Sequence, residues 1–290
     1  MLMDLEKNVL ELIRKVSTDI QPDVLAAIKE GQAKEDPAGM AYSALGQIIK
    51  NIELSRERSL PVCQDTGTNI YYINYPRKMK EDDIRRAIIS ATKKACKINY
   101  LRPNAVNSLT GQNTENNVGD GQPYIHFHQW NKDHLEMSLL LKGGGSENVS
   151  AQYSLPNKEI GAGRDLAGVK KCLVDAVYKA QGQGCAPGVI GVGIGGDRGS
   201  SYYLAKEQLF RSLNDVNKNT TLAKIEKELF ERCNELGIGP MGFGGRTTVL
   251  GIKIGSMHRV PASFFVSIAY LCWADRKGKM IIKNGKVRYA

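Results

Sequence analysis

The chain has 290 residues, 42% of them hydrophobic and 24% charged, which suits a globular protein with one large core or two smaller ones. No apolar run approaches the roughly 18 residues of a membrane span, and the opening MLMDLEKNVLELIRKV is charged at helical spacing with no signal-type apolar core, so a cytoplasmic protein without membrane attachment is expected. The net charge of +10 is dispersed and interrupted by Asp and Glu, and aromatics are only 7% of the chain, which argues against a nucleic-acid partner.

From the N-terminus, Val9, Leu10 and Ile13 make one helical stripe, Val24, Leu25 and Ile28 a second, and a third helix is predicted over 40–54. Pro22 and Pro37 fall near the starts of the second and third, where proline is tolerated. Residues 69–75 are rich in aromatic and branched side chains like a strand, 81–98 read as a helix, and 124–130 with 134–141 as a strand pair. After GGGSEN at 143–148, helices predicted over 165–181, 202–213 and 222–236 alternate with glycine-rich apolar segments near Val189 and Val249. Strand-like MIIKNGKVRY follows at 280–289. This pattern predicts an α/β fold: a mixed sheet with surrounding helices and a helical N-terminal region over about 1–58. With no internal repeat, low-complexity tract or Pro/Ser linker, a single domain over 1–290 is the expectation.

The six cysteines, Cys63, Cys96, Cys172, Cys185, Cys233 and Cys272, are too widely spaced for a small disulfide scaffold, and without a CxxC pair they make neither a zinc ribbon nor a thioredoxin-type dithiol. Cys96, Cys172 and Cys233 lie in helical patterns beside apolar residues and read as core thiols. Many of the 30 glycines are bunched, in GGGSEN, GVIGVGIGG and GIGPMGFGG. Residues 237–242 satisfy GxGxxG, yet they follow a helical stretch and contain Pro240, whereas a dinucleotide fingerprint follows a strand and opens a helix. Residues 191–196 precede a helix and would suit an anion at its N-terminus, but no acidic ribose-binding residue follows. No P-loop is present. His126 and His128 share one strand face and His134 opens the next strand; lacking a third ligand, they read as polar strand positions. LPVCQDTGTNIYYI sets a thiol, an amide, a carboxylate, two hydroxyls and a glycine just before a strand. On those residues alone it is either a site loop or a polar turn with an incidental cysteine.

The run Cys63-Gln64-Asp65-Thr66-Gly67-Thr68 resembles the CQDTGT signature of class I fumarases. It is followed in order by LRPNAV at 101–106, GGGSEN, GCAPGVIGVGIGG at 184–196, GIGPMGFGG at 237–245, TTVLGIKI at 247–254 and MHRVPASFFVSIAYLCWADR at 257–276. Together these resemble the alpha subunit, or N-terminal half, of the class I iron-sulfur hydro-lyases of the fumarase and tartrate-dehydratase family, over most of residues 60–276. The resemblance implies a 4Fe-4S cluster on Cys63, Cys185 and Cys272, with one iron lacking a protein thiolate and free to act as a Lewis acid. It implies Asp65 as the acid/base or water-orienting group, and Gln64 and Arg102 as partners of a substrate carboxylate. Backbone amides of Gly143, Gly144 and Gly145 would cradle a carboxylate, and His258 would bind carboxylate or handle a proton.

The family resemblance further implies a small dicarboxylate substrate, a beta subunit as partner, and a hetero-oligomer or a dimer of alpha chains. A chain ending soon after CWADR resembles a separate alpha subunit that is poorly active alone. Fumarate and malate are the expected substrates, with L-tartrate the alternative; a cluster-based iron or oxygen sensor and a basic nucleic-acid-binding protein are the readings from other classes.

Overall fold

The computed structural model describes residues 2–290. Its helices and strands follow in order as α1 (Leu2–Thr18), α2 (Pro22–Lys34), α3 (Met40–Arg58), β1 (Thr68–Pro76), α4 (Glu81–Lys97), β2 (Tyr124–Trp130), β3 (Leu135–Lys142), α5 (Gly144–Asn148) and β4 (Ala151–Ser154). Then come α6 (Leu166–Ala180), β5 (Gly188–Ile194), α7 (Arg198–Gln208), α8 (Thr220–Asn234), β6 (Val249–Ser256), β7 (Phe265–Leu271), β8 (Lys277–Lys283) and β9 (Lys286–Tyr289). The expected α/β class, with mixed sheets, surrounding helices and a helical N-terminal region, is what forms. No described helix is long and apolar enough to cross a membrane.

The chain groups into two units and passes between them four times. The first comprises Met1–Gln21, Lys50–Gly144 and Arg276–Ala290; the second comprises Pro22–Ile49 and Gly145–Asp275.

In the first unit a five-stranded sheet has the order β2-β1-β3-β8-β9. The α1 stripe of Leu5, Val9, Leu12, Ile13 and Val16 and the α4 stripe of Ile84, Ala87, Ile88 and Ala91 bury themselves against Tyr71, Ile73, Met137, Leu139 and Met280. Each large aliphatic side chain removed from water contributes about 1.5–3 kcal/mol. Strands β2 and β3 both form where the sequence places them but do not pair with each other: β1 lies between them, parallel to β2 and antiparallel to β3. The reason is burial. β1 is apolar on both faces and takes an inner position, reached from β2 by a crossover through α4, whereas β2 alternates between exposed and half-buried residues, as suits an edge.

In the second unit a four-stranded sheet has the order β4-β7-β5-β6, with β5 parallel to β6 and antiparallel to β7. Helices α6 and α8 bury Val169, Leu173, Val177, Ile225 and Leu229 against Ile190, Val192, Ile252 and Ile268. Helix α7 packs against β5 through its glycines: a Cβ added at Gly191 or Gly193 would stand 2.1 Å from the carbonyl oxygens of Ala205 or Ser201. The glycine spacing of GVIGVGIGG is thus a seat for a helix. That helix also starts four residues before the expected 202, because Asp197 caps it, accepting from the Ser200 amide at 2.9 Å and the Ser200 hydroxyl at 2.8 Å. The Asp197 carboxylate itself fills the position that suited an anion.

Candidate active site

Strand register in the first unit brings three distant segments to one sheet end. Thr68 opens β1 opposite Lys142, which closes β3, and Lys277 opens β8 opposite Leu140. Residues 63–67, Gly143–Gly144 and Arg276 therefore converge, although they are scattered over more than two hundred positions of sequence. Gly67 makes the turn into β1 with φ +79°, and a Cβ there would lie 2.7 Å from the Lys142 carbonyl carbon, so both conformation and space demand glycine.

Asp65 is exposed, yet its carboxylate is held on both oxygens. Oδ1 accepts from the Gly67 amide at 2.9 Å and Oδ2 from the Gly144 amide at 2.7 Å. The Gly144 amide, expected to face a substrate carboxylate, is thus donated to Asp65. A Cβ at Gly143 would stand 2.9 Å from Asp65 Oδ2, so the absent side chain there makes room for the carboxylate.

Buried Thr66 joins the LRPNAV segment to this loop: its hydroxyl accepts from the Arg102 amide at 3.0 Å and from Asn104 Nδ2 at 3.1 Å. Arg102 itself is exposed, with Nη1 3.4 Å from the Gln64 carbonyl oxygen, and the Gln64 side chain is exposed beside it. Solvent-facing amide, carboxylate and guanidinium groups thus lie within one short stretch of surface, an arrangement suited to a small anion with a proton to exchange. Thr66, Asn104 and Arg276 carry this geometry without having been singled out from sequence. Thr66 and Asn104 sit inside the quoted motifs, but nothing in sequence distinguishes a hydroxyl or amide that ties two loops together from one in contact with solvent.

In the second unit Cys185 and Cys272 are likewise neighbours by register. Val189 of β5 pairs with Leu271 of β7, so the loop before β5 and the residue after β7 share a sheet end. The Trp273 amide donates to the Cys185 carbonyl at 3.2 Å, and Cys185 adopts φ +55°. Tyr270 underlies this end: Cβ atoms added at Gly184 or Gly188 would meet its ring at 2.6 or 2.4 Å. Burial, and then the adjacent Cys272 and Cys185 thiols, push its phenol well above the usual tyrosine range. GIGPMGFGG closes over the same loop, with the Met241 amide donating to the Ala186 carbonyl at 2.9 Å, so these glycines serve backbone packing and open no dinucleotide-binding helix. Gly145 stands beside the loop too, where an added Cβ would be 3.4 Å from the Gln183 carbonyl oxygen.

Among the described residues no three His, Cys, Asp or Glu side chains are already gathered as a metal-binding group. The donor chemistry nonetheless divides the thiols in two. Cys63, Cys185 and Cys272 all lie outside helices, whereas Cys96, Cys172 and Cys233 lie in α4, α6 and α8. Burial pushes the Cys96 thiol up to about 11 and those of Cys172 and Cys233 up to about 12, which disfavours the thiolate that iron requires.

His258 is placed elsewhere in its unit. It follows β6, which runs parallel to β5, so it lies at the end of the sheet opposite Cys185 and Cys272, about 20 Å of strand away. There its carbonyl accepts from the Gly196 amide at 3.1 Å, and it lines an open cavity with Met257, Arg259 and Phe264. On β2, His126 stacks on Tyr72 at 4.9 Å between ring centroids, and exposed His128 shares its face. His134 Nδ1 lies 3.3 Å from Asp133.

Residues 6–281 match the family described as fumarate hydratase (Fumerase). A Geobacillus stearothermophilus protein named "Putative fumarate hydratase class I" is 50% identical over 276 residues, covering 94% of this chain and 54% of the relative; the chain thus spans about half of that protein's length. A Methanocaldococcus jannaschii protein named "Putative L(+)-tartrate dehydratase subunit alpha" is 34% identical, over 97% of this chain and 98% of its own length. The Escherichia coli K12 "L(+)-tartrate dehydratase subunit alpha" is 28% identical, over 92% and 87%.

Proposed function

The chain belongs to the fumarate hydratase (Fumerase) family of hydro-lyases, and from that membership we propose that it works with a beta-type subunit in the reversible hydration of fumarate to (S)-malate. The observation that carries the reading is the exposed Asp65 carboxylate, fixed by two backbone amides, two residues after Cys63 and beside the Arg102 segment. Higher identity to the relative named for fumarate hydratase than to those named for tartrate dehydratase supports fumarate as substrate. L-tartrate is the second reading, because the tartrate-dehydratase alpha subunits are the relatives that the chain covers nearly end to end. Their naming as alpha subunits also supports the beta-type partner.

In this proposal Cys63, Cys185 and Cys272, the three thiols outside the helices, hold a 4Fe-4S cluster. When bound, it supplies a Lewis acid for the substrate hydroxyl. Arg102 pairs with one substrate carboxylate through its planar fork of donors, and Gln64 adds a neutral hydrogen bond. Asp65 exchanges the proton or orients the water: each of its oxygens has one lone pair committed to an amide, which fixes the direction of the other. Gly143 and Gly144 serve by positioning Asp65. His258 keeps in this proposal the role that the family resemblance implies, binding a carboxylate or handling a proton, from the end of its own sheet opposite Cys185 and Cys272.

The test is anaerobic reconstitution with iron and sulfide, followed by assay of fumarate and L-tartrate with and without the beta-type subunit. Cluster absorbance should form in the wild type and be lost in Cys63→Ser, Cys185→Ser and Cys272→Ser, with fumarate hydration appearing only in the combined subunits. Failure to form a cluster anaerobically would overturn the proposal, and a cluster without hydration would favour a sensor.

A further inference from the structure

Arg276 is 1% exposed and ranks among the largest fully buried side chains. A guanidinium stays charged throughout the range in which proteins fold, so enclosing one is costly unless its donors are used. Its backbone is fixed by the sheet, the Leu141 amide donating to the Arg276 carbonyl at 2.9 Å just ahead of β8. From there Nη1 donates to the main-chain oxygen of Asp65 at 2.5 Å, while Nε has no hydrogen-bond partner among the described residues. Nη2 and Asp65 Oδ2 flank one point in space: a Cβ at Gly143 would lie 3.4 Å from the first and 2.9 Å from the second. A buried, permanently charged group thus grips the backbone of Asp65, whose carboxylate is also clamped by two amides.

Resting on the reading of Asp65 as the acid/base group, we infer that Arg276 is a positioning residue for Asp65. It holds the Asp65 peptide from within, the Gly67 and Gly144 amides hold the carboxylate, and the bare Gly143 lets carboxylate and guanidinium approach the same spot. Arg276 acts on the substrate only through Asp65. Replacing it therefore disturbs the catalytic step and leaves ground-state binding by Arg102 nearly intact.

The experiment compares Arg276→Lys, Asp65→Asn and the double variant in the reconstituted two-subunit enzyme, with hydrogen exchange at the Gly67 and Gly144 amides as a readout independent of turnover. Arg276→Lys should lower kcat on the order of 10- to 100-fold, the usual consequence of a slight misplacement, with KM changed less than about twofold and cluster absorbance unchanged. Exchange at both amides should quicken, and in the Asp65→Asn background the lysine should cost no further activity. Gly143→Ala, whose added carbon enters between the carboxylate and the guanidinium, should give the same kcat loss, and Arg276→Gln, which keeps an amide donor for the Asp65 carbonyl, decides the matter by the same exchange and KM-against-kcat readouts if Arg276→Lys does not fold. Wild-type kcat and unchanged exchange in the lysine variant, or additive losses in the double variant, would overturn the inference. A wild-type pair that hydrates neither substrate would instead overturn the functional reading, while the exchange result would still judge the Arg276–Asp65 link.

Discussion

The two sheet ends that carry the family motifs are built on different principles. At the first, side chains do the joining: Asp65 takes two amides, Thr66 takes two donors from residues 102–104, and Arg276 reaches the Asp65 carbonyl. At the second, backbone meets backbone across glycines, with Tyr270 filling the space beneath Gly184 and Gly188 and the Trp273 amide bonded to the Cys185 carbonyl. The first end is therefore vulnerable to loss of a polar atom and the second to gain of a carbon. Side-chain hydrogen bonds fix the direction of the Asp65 carboxylate, whereas glycine and backbone contacts fix the course of the main chain around Cys185 and Cys272.

The sharpest way to break the comparison is Asp65→Asn, which keeps shape and removes charge. It should lower kcat/KM for hydration by about 10²–10⁴-fold; a loss under tenfold would remove Asp65 from the chemistry.

Next comes the thiol division. At pH 8 Cys96, pushed up to about 11 by burial, carries on the order of 100-fold less thiolate than at its ordinary value. Iodoacetamide labelling followed by mass spectrometry should find it correspondingly slow, rising about tenfold per pH unit up to pH about 11. Rapid labelling at pH 8 would show that its helix gives no shelter.

Gly188→Ala puts a carbon 2.4 Å from the Tyr270 ring and should destabilise the fold by roughly 1–3 kcal/mol. The urea midpoint should fall while the m-value stays constant; an unchanged midpoint would mean that the ring moves aside freely. Thr66→Val should cost the least, about 1 kcal/mol, because water reaches the exposed Arg102 region and replaces part of what is lost. It should show as a raised KM with kcat nearly constant.

Much of the secondary structure was legible because local periodicity decides it: the stripe of Val9 and Ile13 and the strand 69–75 need no tertiary context to be read. Pairing was not legible. Whether β2 joins β1 or β3 depends on which strand has both faces covered, a property of the assembled sheet. The start of α7 turned on the cap at Asp197, whose signal is a single residue. Within the candidate site, motifs pointed to Asp65 and Arg102, and the structure shows how Asp65 is clamped. They did not point to Arg276, since an arginine before a strand reads the same whether buried or solvated. Nor did they show that β5 and β6 run parallel and carry His258 away from the cysteine end of its sheet.

The fourfold passage of the chain between units also dictates an order of events during synthesis. Strand β3, apolar along almost its whole length, pairs on one side with β1 but on the other only with β8, so that edge stays open until residues 277–283 have been made. At ordinary translation rates the wait is roughly ten seconds, long enough for a nascent chain to meet another or a chaperone. The second unit is itself complete only at Asp275, just before β8 is made, and draws on nothing beyond that residue. Premature stops or slow codons in the last stretch should therefore yield a folded second unit tethered to an aggregation-prone first one.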